Sequence, residues 1–312
     1  MSETAPNQDG PFHRFAWNGF GFDVPSEWNL ASYHFGTSES NIELQDDFSV
    51  RLQFEWIHPR RPLRAIPLME RYQQACAKTG EHASDAESLT LEVPDWHAGR
   101  FVLGDKNQFV IAVYLSPDGM FFGILRLFFD KPGRLAPRRI LDRITRSFCL
   151  VEGATIPWSV YDMDVVVGHE FRLVATTLQA GCKLMQFQWR LRRLMIWNVS
   201  MADWILRDKT PAGWAVGFLG SIRSLEGCGF EADGEMNIRC KRRGWRFPLG
   251  HYEDIGRACY RYRAWVRRLP DQNALQLLVY HYRFESDLMR LEGPLRDWIQ
   301  AGRRDSNTPL NH

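Results

Sequence analysis

Two stretches of the chain are written alike. Trp17–Leu30 reads W-N-G-F-G-F-D-V-P-S-E-W-N-L, and Trp158–Leu173 reads W-S-V-Y-D-M-D-V-V-V-G-H-E-F-R-L. Each opens on Trp, places an aromatic three residues later, and passes through an Asp-Val pair to an aromatic-x-Leu. A repeat on this scale restricts the architecture more than any total does, because each copy must bury a core of its own.

The rest of the chain follows the same order twice. In the first half, D-F-S-V-R-L-Q-F-E-W sets Phe48, Val50, Leu52, Phe54 and Trp56 against Ser49, Arg51, Gln53 and Glu55. Successive strand residues point to opposite faces, so this period of two predicts a half-buried antiparallel strand. I-P-L-M-E-R-Y-Q-Q-A-C-A-K-T-G predicts a helix from Pro67 to Gly80, ended by the glycine. A hairpin follows around Ser116-Pro117-Asp118-Gly119, where proline presets the φ that the turn requires. P-R-R-I-L-D-R-I-T-R-S-F closes the half as a helix with Ile140, Leu141, Ile144 and Phe148 on one face.

In the second half Met185, Phe187, Trp189 and Leu191 alternate with polar residues, and Met195 and Trp197 mark a further strand. Trp56 and Trp197 are separated by the same number of residues as Trp17 and Trp158, which predicts that each pair occupies matching positions. A helix is expected within 201–225 and a hairpin around Leu269-Pro270-Asp271, with Arg261 and Arg263 opposite Tyr282 and Tyr280. A closing helix should carry Leu295, Trp298 and Ile299. The expected organisation is therefore a tail over 1–11, one module over 12–150, a diverged second module over 151–301, and a tail over 302–312. The expected class is α+β: two tandem α/β/α modules, each an antiparallel sheet with packed helices.

Composition sets further limits. With 45% hydrophobic residues, 12 Trp and 20 Phe, a disordered chain is excluded. The net charge of +2 is unevenly spread, with the first half mildly acidic and the second mildly basic. That basic excess is below what a dedicated nucleic-acid-binding domain carries. The N-terminus M-S-E-T-A-P-N-Q-D-G has no signal-peptide character, and no apolar run is long enough for a membrane span. Six scattered cysteines without a C-x-x-C pair predict reduced thiols and a cytoplasmic setting.

F-G-F-D-V-P-S-E-W, the alternating strand, the central helix, the S-P-D-G hairpin and I-L-D-R-I-T-R-S-F together resemble the PsbP-like fold family. That family is shared by photosystem extrinsic proteins, Ran-binding Mog proteins, DcrB-type bacterial proteins and chaperones of secreted effectors. The second copy departs from the pattern: Val166 stands in place of Pro25, and its closing helix lacks the I-L-x-x-I spacing. The resemblance implies an α/β/α sandwich and a binding, adaptor or chaperone-like module without catalytic residues.

Direct inspection finds no H-E-x-x-H, G-x-S-x-G or P-loop motif. G-C-G-F-E-A-D-G at 227–234 reads as a turn rather than a phosphate cradle. His251, Glu253, Asp254 and Cys259 do not by spacing make a metal site, and His97 beside Trp96 reads as a loop histidine. Asp23 and Asp164, matched between copies, read as turn or strand-end residues. No catalytic residue, metal or cofactor is expected.

Two binding surfaces are predicted. Met185, Trp189, Met195 and Trp197 would form an apolar groove if they escaped the core. Arg257, Arg261, Arg263 and Arg267 share one parity along a strand and, with Arg192 and Arg193, would form a surface for an anionic partner. Lys241, Arg242 and Arg243 could extend its field. The expected partner is a protein, with nucleic acid or another polyanion as the alternative, and the linked pair of modules predicts a monomer.

Overall fold

The structure is a computed structural model that describes residues 11–37, 39–63, 70, 73–74, 77, 87–103, 107–130, 137–222, 225, 228–242, 261–289 and 291. The chain divides into two compact units, Met1–Val151 with Trp158–Tyr161, and Glu152–Pro157 with Asp162–His312.

The first unit begins with a hairpin of β1 (Phe12–Trp17) and β2 (Phe20–Pro25), closed by Asn18 and Gly19 at φ 48° and 93°. Two successive positive φ values match the right-handed twist of the flanking strands, and Asn-Gly adopts them at least cost. β10 (Cys149–Leu150) pairs with β2, and Ser159 of β11 (Thr155–Val160) pairs with Ala16 of β1.

The unit's main sheet contains β3 (Asn29–Phe35), β4 (Ser40–Gln45), β5 (Val50–Ile57), β6 (Glu87–Leu89), β7 (Trp96–Leu103), β8 (Asn107–Leu115) and β9 (Phe122–Asp130). Their order across the sheet is β3-β4-β5-β9-β8-β7-β6. Helix α1 (Pro137–Ser147) buries Ile140, Leu141 and Ile144. Phe20, Phe22, Phe54, Phe121 and Phe148 pack into one aromatic core through stacked and edge-to-face pairs, with ring centroids between 4.9 and 6.4 Å apart. Phe109, Ile111, Val113 and Phe122 form a separate buried cluster.

The second unit contains β12 (Met163–Gly168), β13 (Arg172–Gln179), β14 (Cys182–Trp189), β15 (Arg192–Ser200), helix α2 (Ala202–Ile205) and helix α3 (Pro211–Ser221). It continues through β16 (Cys228–Ala232), β17 (Asn237–Arg242), β18 (Arg261–Leu269) and β19 (Ala274–Tyr282). The sheet order is β13-β14-β15-β19-β18-β17-β16. Thr210 caps α3 by accepting a hydrogen bond from the Gly213 N–H at 3.1 Å, and Pro211 starts the helix. Ala212, Ala215 and Leu219 of α3 join a core with Met195, Trp197, Val199, Ile238, Ala264, Val266 and Leu277.

The two sheets thus have one strand order and one connectivity. They also share an irregularity: the first strand of each bulges in its pairing with the second, between Leu30 and Ser32 and between Leu173 and Ala175. Register corrects the matching of tryptophans, however. Trp17 is the last strand residue before its turn, the place that Val160 holds before Tyr161 and Asp162, and Phe15 is the counterpart of Trp158. On the same count Asp23 corresponds to Val166, so Asp23 and Asp164 do not match.

Trp56 likewise does not correspond to Trp197. Pairing Leu44↔Leu52 with Phe187↔Leu194 makes Asn198 the counterpart of Trp56. Accordingly Trp56 packs on Phe20 of the first hairpin, Asn198 donates to the Asp162 carbonyl at 3.0 Å, and Trp197 faces α3.

The α+β class does not hold either. Among the described residues three antiparallel sheets dominate and only α1 and α3 reach eleven residues, so the fold is largely β. Glu70, Gln73, Gln74 and Ala77 of the expected central helix are helical and exposed, and the rest of 67–80 lies outside the described residues. The expected closing helix with Leu295, Trp298 and Ile299 lies wholly outside them. Phe48 is no strand residue: it sits in the β4–β5 turn and is 89% exposed.

Candidate functional site

The β18–β19 hairpin has the predicted register, with Arg261 opposite Tyr282 and Arg263 opposite Tyr280 around Pro270–Asn273. The arginines on it do not form an open stripe. Trp265 interrupts the row and is buried. Arg267 donates through Nε and Nη2 to Gln276 Oε1 at 3.0 and 2.7 Å, and Arg263 approaches Asp233 at 4.0 Å. Arg257 lies outside the described residues, as do Arg243, His251, Glu253, Asp254 and Cys259. Lys241 and Arg242 fall on β17.

The predicted apolar groove is also corrected. Met185, Met195 and Trp197 are buried, because β14 and β15 are interior strands of the sheet and their apolar side chains form its core. Trp189 alone of the four is half-buried.

Pairing gathers a different surface. Arg172↔Gln188, Gln188↔Arg193, Arg193↔His281 and His281↔Tyr262 form one continuous row across five strands at one end of the second sheet. One step further out, Trp189 pairs with Arg192 and Tyr282 with Arg261. Arg190 lies in the β14–β15 turn at φ 54°, and Arg283 directly follows β19. Arg172 and Arg193 project from one face of this end, and Arg192 and Arg261, one residue out of step, from the other. Arg261 pairs with Glu285 at 3.1 Å, and Arg190 and Arg283 lie just beyond the strand ends.

Asp287 organises this surface. It is 3% exposed, accepts the Arg192 guanidinium at 2.7 Å, and accepts the N–H groups of Arg283 and Phe284 at 3.1 and 3.0 Å. Burial alone would raise its carboxyl pKa, but those hydrogen bonds outweigh burial and hold it below the ordinary carboxylate range. Arg192 also lies over the Trp189 ring at 4.4 Å, and Arg283 over Phe284 at 4.9 Å. The result is a preorganised patch of guanidinium groups and aromatic rings, with Arg190, Arg283, Phe284 and Met289 exposed. Arg192 belongs to its scaffold, since its charge is committed to Asp287.

Sequence inspection named Trp189, Arg192, Arg193 and Arg261 but missed Arg172, Arg190, Arg283, Phe284 and Asp287. These come from separate segments that only the strand register brings together. The alternation carried Arg190 as a polar member of a strand running to Leu191, whereas both residues lie in the β14–β15 turn, with Arg190 at φ 54°.

In the first unit a cleft of about 380 Å³ is lined by Asp23, Arg139, Asp142, Arg143, Arg146 and Ser147. Its charges are largely committed to neighbours: Arg143 and Arg14 reach Asp23 at 2.6 and 3.3 Å, Arg138 reaches Asp142 at 3.0 Å, and Arg146 reaches Glu92 at 2.8 Å. This network fastens α1 to β2. His97 lies on β7 rather than in a loop, and burial lowers its pKa. Cys228–Ala232 of the glycine-rich segment is strand β16, followed by a turn with Gly234 at φ 91°. No group of three or more metal-ligating side chains occurs among the described residues, and none of their helices is long and apolar enough to cross a membrane.

No family model matches the chain, and no curated protein matches it. Among solved structures it is similar to the Ran-binding protein Mog1p of Saccharomyces cerevisiae, at 10% identity and a TM-score of 0.35 over 46% of this chain and 97% of that one. It is also similar to a protein of Bacteroides thetaiotaomicron, at 8% identity and a TM-score of 0.27 over 66% of this chain and 59% of that one.

Proposed function

We propose that this chain is a non-catalytic protein-binding adaptor, made of two modules of PsbP-like kind that arose by duplication. The shared strand order, connectivity and bulge position support the duplication. The observation that carries the binding function is the arginine–aromatic end of the second sheet. Arginine and large aromatic side chains dominate the energetics of protein interfaces, because they combine apolar area with directed hydrogen bonds. Asp287 fixes this patch before any partner arrives, which lowers the ordering cost of association. The exposed guanidinium groups of Arg190 and Arg283 select an acidic partner segment, and Phe284 and Met289 offer contact to an apolar anchor within it.

The test is a fluorescence-anisotropy titration with a labelled peptide of alternating Glu and Phe, run beside a labelled oligothymidylate. Saturable peptide binding that falls at least tenfold in Arg190→Glu/Arg283→Glu supports the reading. Tighter binding of the oligothymidylate, with the steep salt dependence of counterion release, would instead establish the chain as a polyanion binder. Binding of neither would remove the assignment.

A further inference from the structure

The β4–β5 turn of the first unit occupies the same place in its sheet as the β14–β15 turn in the second. The two have opposite character. The second presents Arg190, set beside half-buried Trp189 and the Arg192–Asp287 pair, whereas the first reads Asp46-Asp47-Phe48-Ser49. Asp46 accepts the N–H groups of Phe48 and Ser49 at 2.9 and 2.8 Å and the Arg51 Nε at 2.6 Å. Burial would raise the Asp46 pKa, yet these donors hold it below the ordinary range, so the turn is fastened around a carboxylate. The fastened turn leaves Asp47 exposed and presents Phe48 at 89% exposure. A rigid loop offering one large ring beside a free carboxylate has the form of an interface anchor.

From this charge complementarity we propose that the Asp46–Ser49 turn of one molecule docks on the arginine–aromatic end of the second unit of another molecule. This rests on the reading of that end as an acceptor of acidic protein segments. Asp47 would meet Arg190 and Arg283, and Phe48 would pack against exposed Phe284. The contact is heterologous, since each copy offers a different surface to its neighbour. It is small and charge-steered, so it forms at high concentration and low salt and weakens as salt screens it.

Sedimentation velocity over a range of concentrations at low salt tests it. The weight-average mass of the wild-type chain should rise with concentration and return to the monomer value in high salt. Phe48→Ala and Arg190→Glu/Arg283→Glu should each remain monomeric, with unchanged thermal midpoints. The two variants mixed in equal amounts should form a dimer and nothing larger, because the first keeps the acceptor and the second keeps the turn. A wild-type mass independent of concentration, association that survives either substitution, or a mixture that stays monomeric would each overturn the proposal. Binding of the Glu-Phe peptide by a wild-type chain that does not self-associate would sink this inference and leave the adaptor reading standing.

Discussion

Arg192 Nη2 lies 2.7 Å from Asp287 Oδ1, and both side chains are largely withdrawn from water, at 13% and 4% exposure. The pair ties the end of β15 to the segment after β19, and through it the exposed Phe284 is set in place. Removing one partner of such a pair leaves a buried charge without compensation, at a cost of about 3–5 kcal/mol. Asp287→Asn is expected to approach about 3 kcal/mol in urea unfolding. An Arg192→Met/Asp287→Leu double substitution should cost less than the single one, since neither charge is then stranded.

Asp46 and Asp287 both titrate below the ordinary carboxylate range in the folded chain. An unfolded carboxyl takes up its proton near pH 4, whereas these two resist protonation while folded. Their contribution to stability is therefore complete above that pH. It is lost as pH falls through the lower folded values, where the unfolded chain binds more protons. The urea midpoint should drop steeply on acidification below about pH 4. In Asp287→Asn that drop should be shallower.

Phe48 and Phe54 lie close in sequence but in opposite environments, one exposed in a turn and the other fully buried among Phe20, Phe22 and Phe148. Phe48→Ala should leave stability within about 0.5 kcal/mol of wild type, as surface substitutions do. Phe54→Ala should cost about 3–5 kcal/mol, because it opens a cavity inside a close-packed ring cluster. Chemical denaturation of both variants under one condition checks the contrast.

The contrast also marks where the sequence could be read and where it could not. The β18–β19 register was legible because the turn fixes the pairing and alternation fixes the faces. The strand containing Leu52, Phe54 and Trp56 was legible for the same reason. Its alternation, however, runs without a break into the turn, so Phe48 looks like one more inward residue. Matching Trp17 to Trp158 failed by two positions, a shift that preserves which face a side chain takes and so leaves no mark in the pattern. The class was misread because strands outweigh helices among the described residues, where only α1 and α3 reach eleven residues. The arginine–aromatic end was invisible in sequence because Arg172 and Arg193 fall in one row only through the pairing of β13, β14 and β15, and Arg192 meets Asp287 only across 95 residues of chain.

A tryptophan pair tests the first unit's core. Trp17 and Trp158 meet edge to face at 5.0 Å and are both fully buried. Trp158→Ala should cost about 3–5 kcal/mol, whereas Trp204→Ala, at a tryptophan 63% exposed on α2, should change stability by about 0.5 kcal/mol or less. Thermal unfolding of the two variants separates a core ring from a surface one.

The most direct measurement of the central claim is amide hydrogen exchange on the full chain, with and without a saturating Glu-Phe peptide. The adaptor account predicts new protection over 188–193 and 281–289, the segments that carry Arg190, Arg192, Arg283 and Phe284, and loss of that protection in Arg190→Glu/Arg283→Glu. Protection confined to other segments, or an unchanged exchange pattern at saturation, would contradict it.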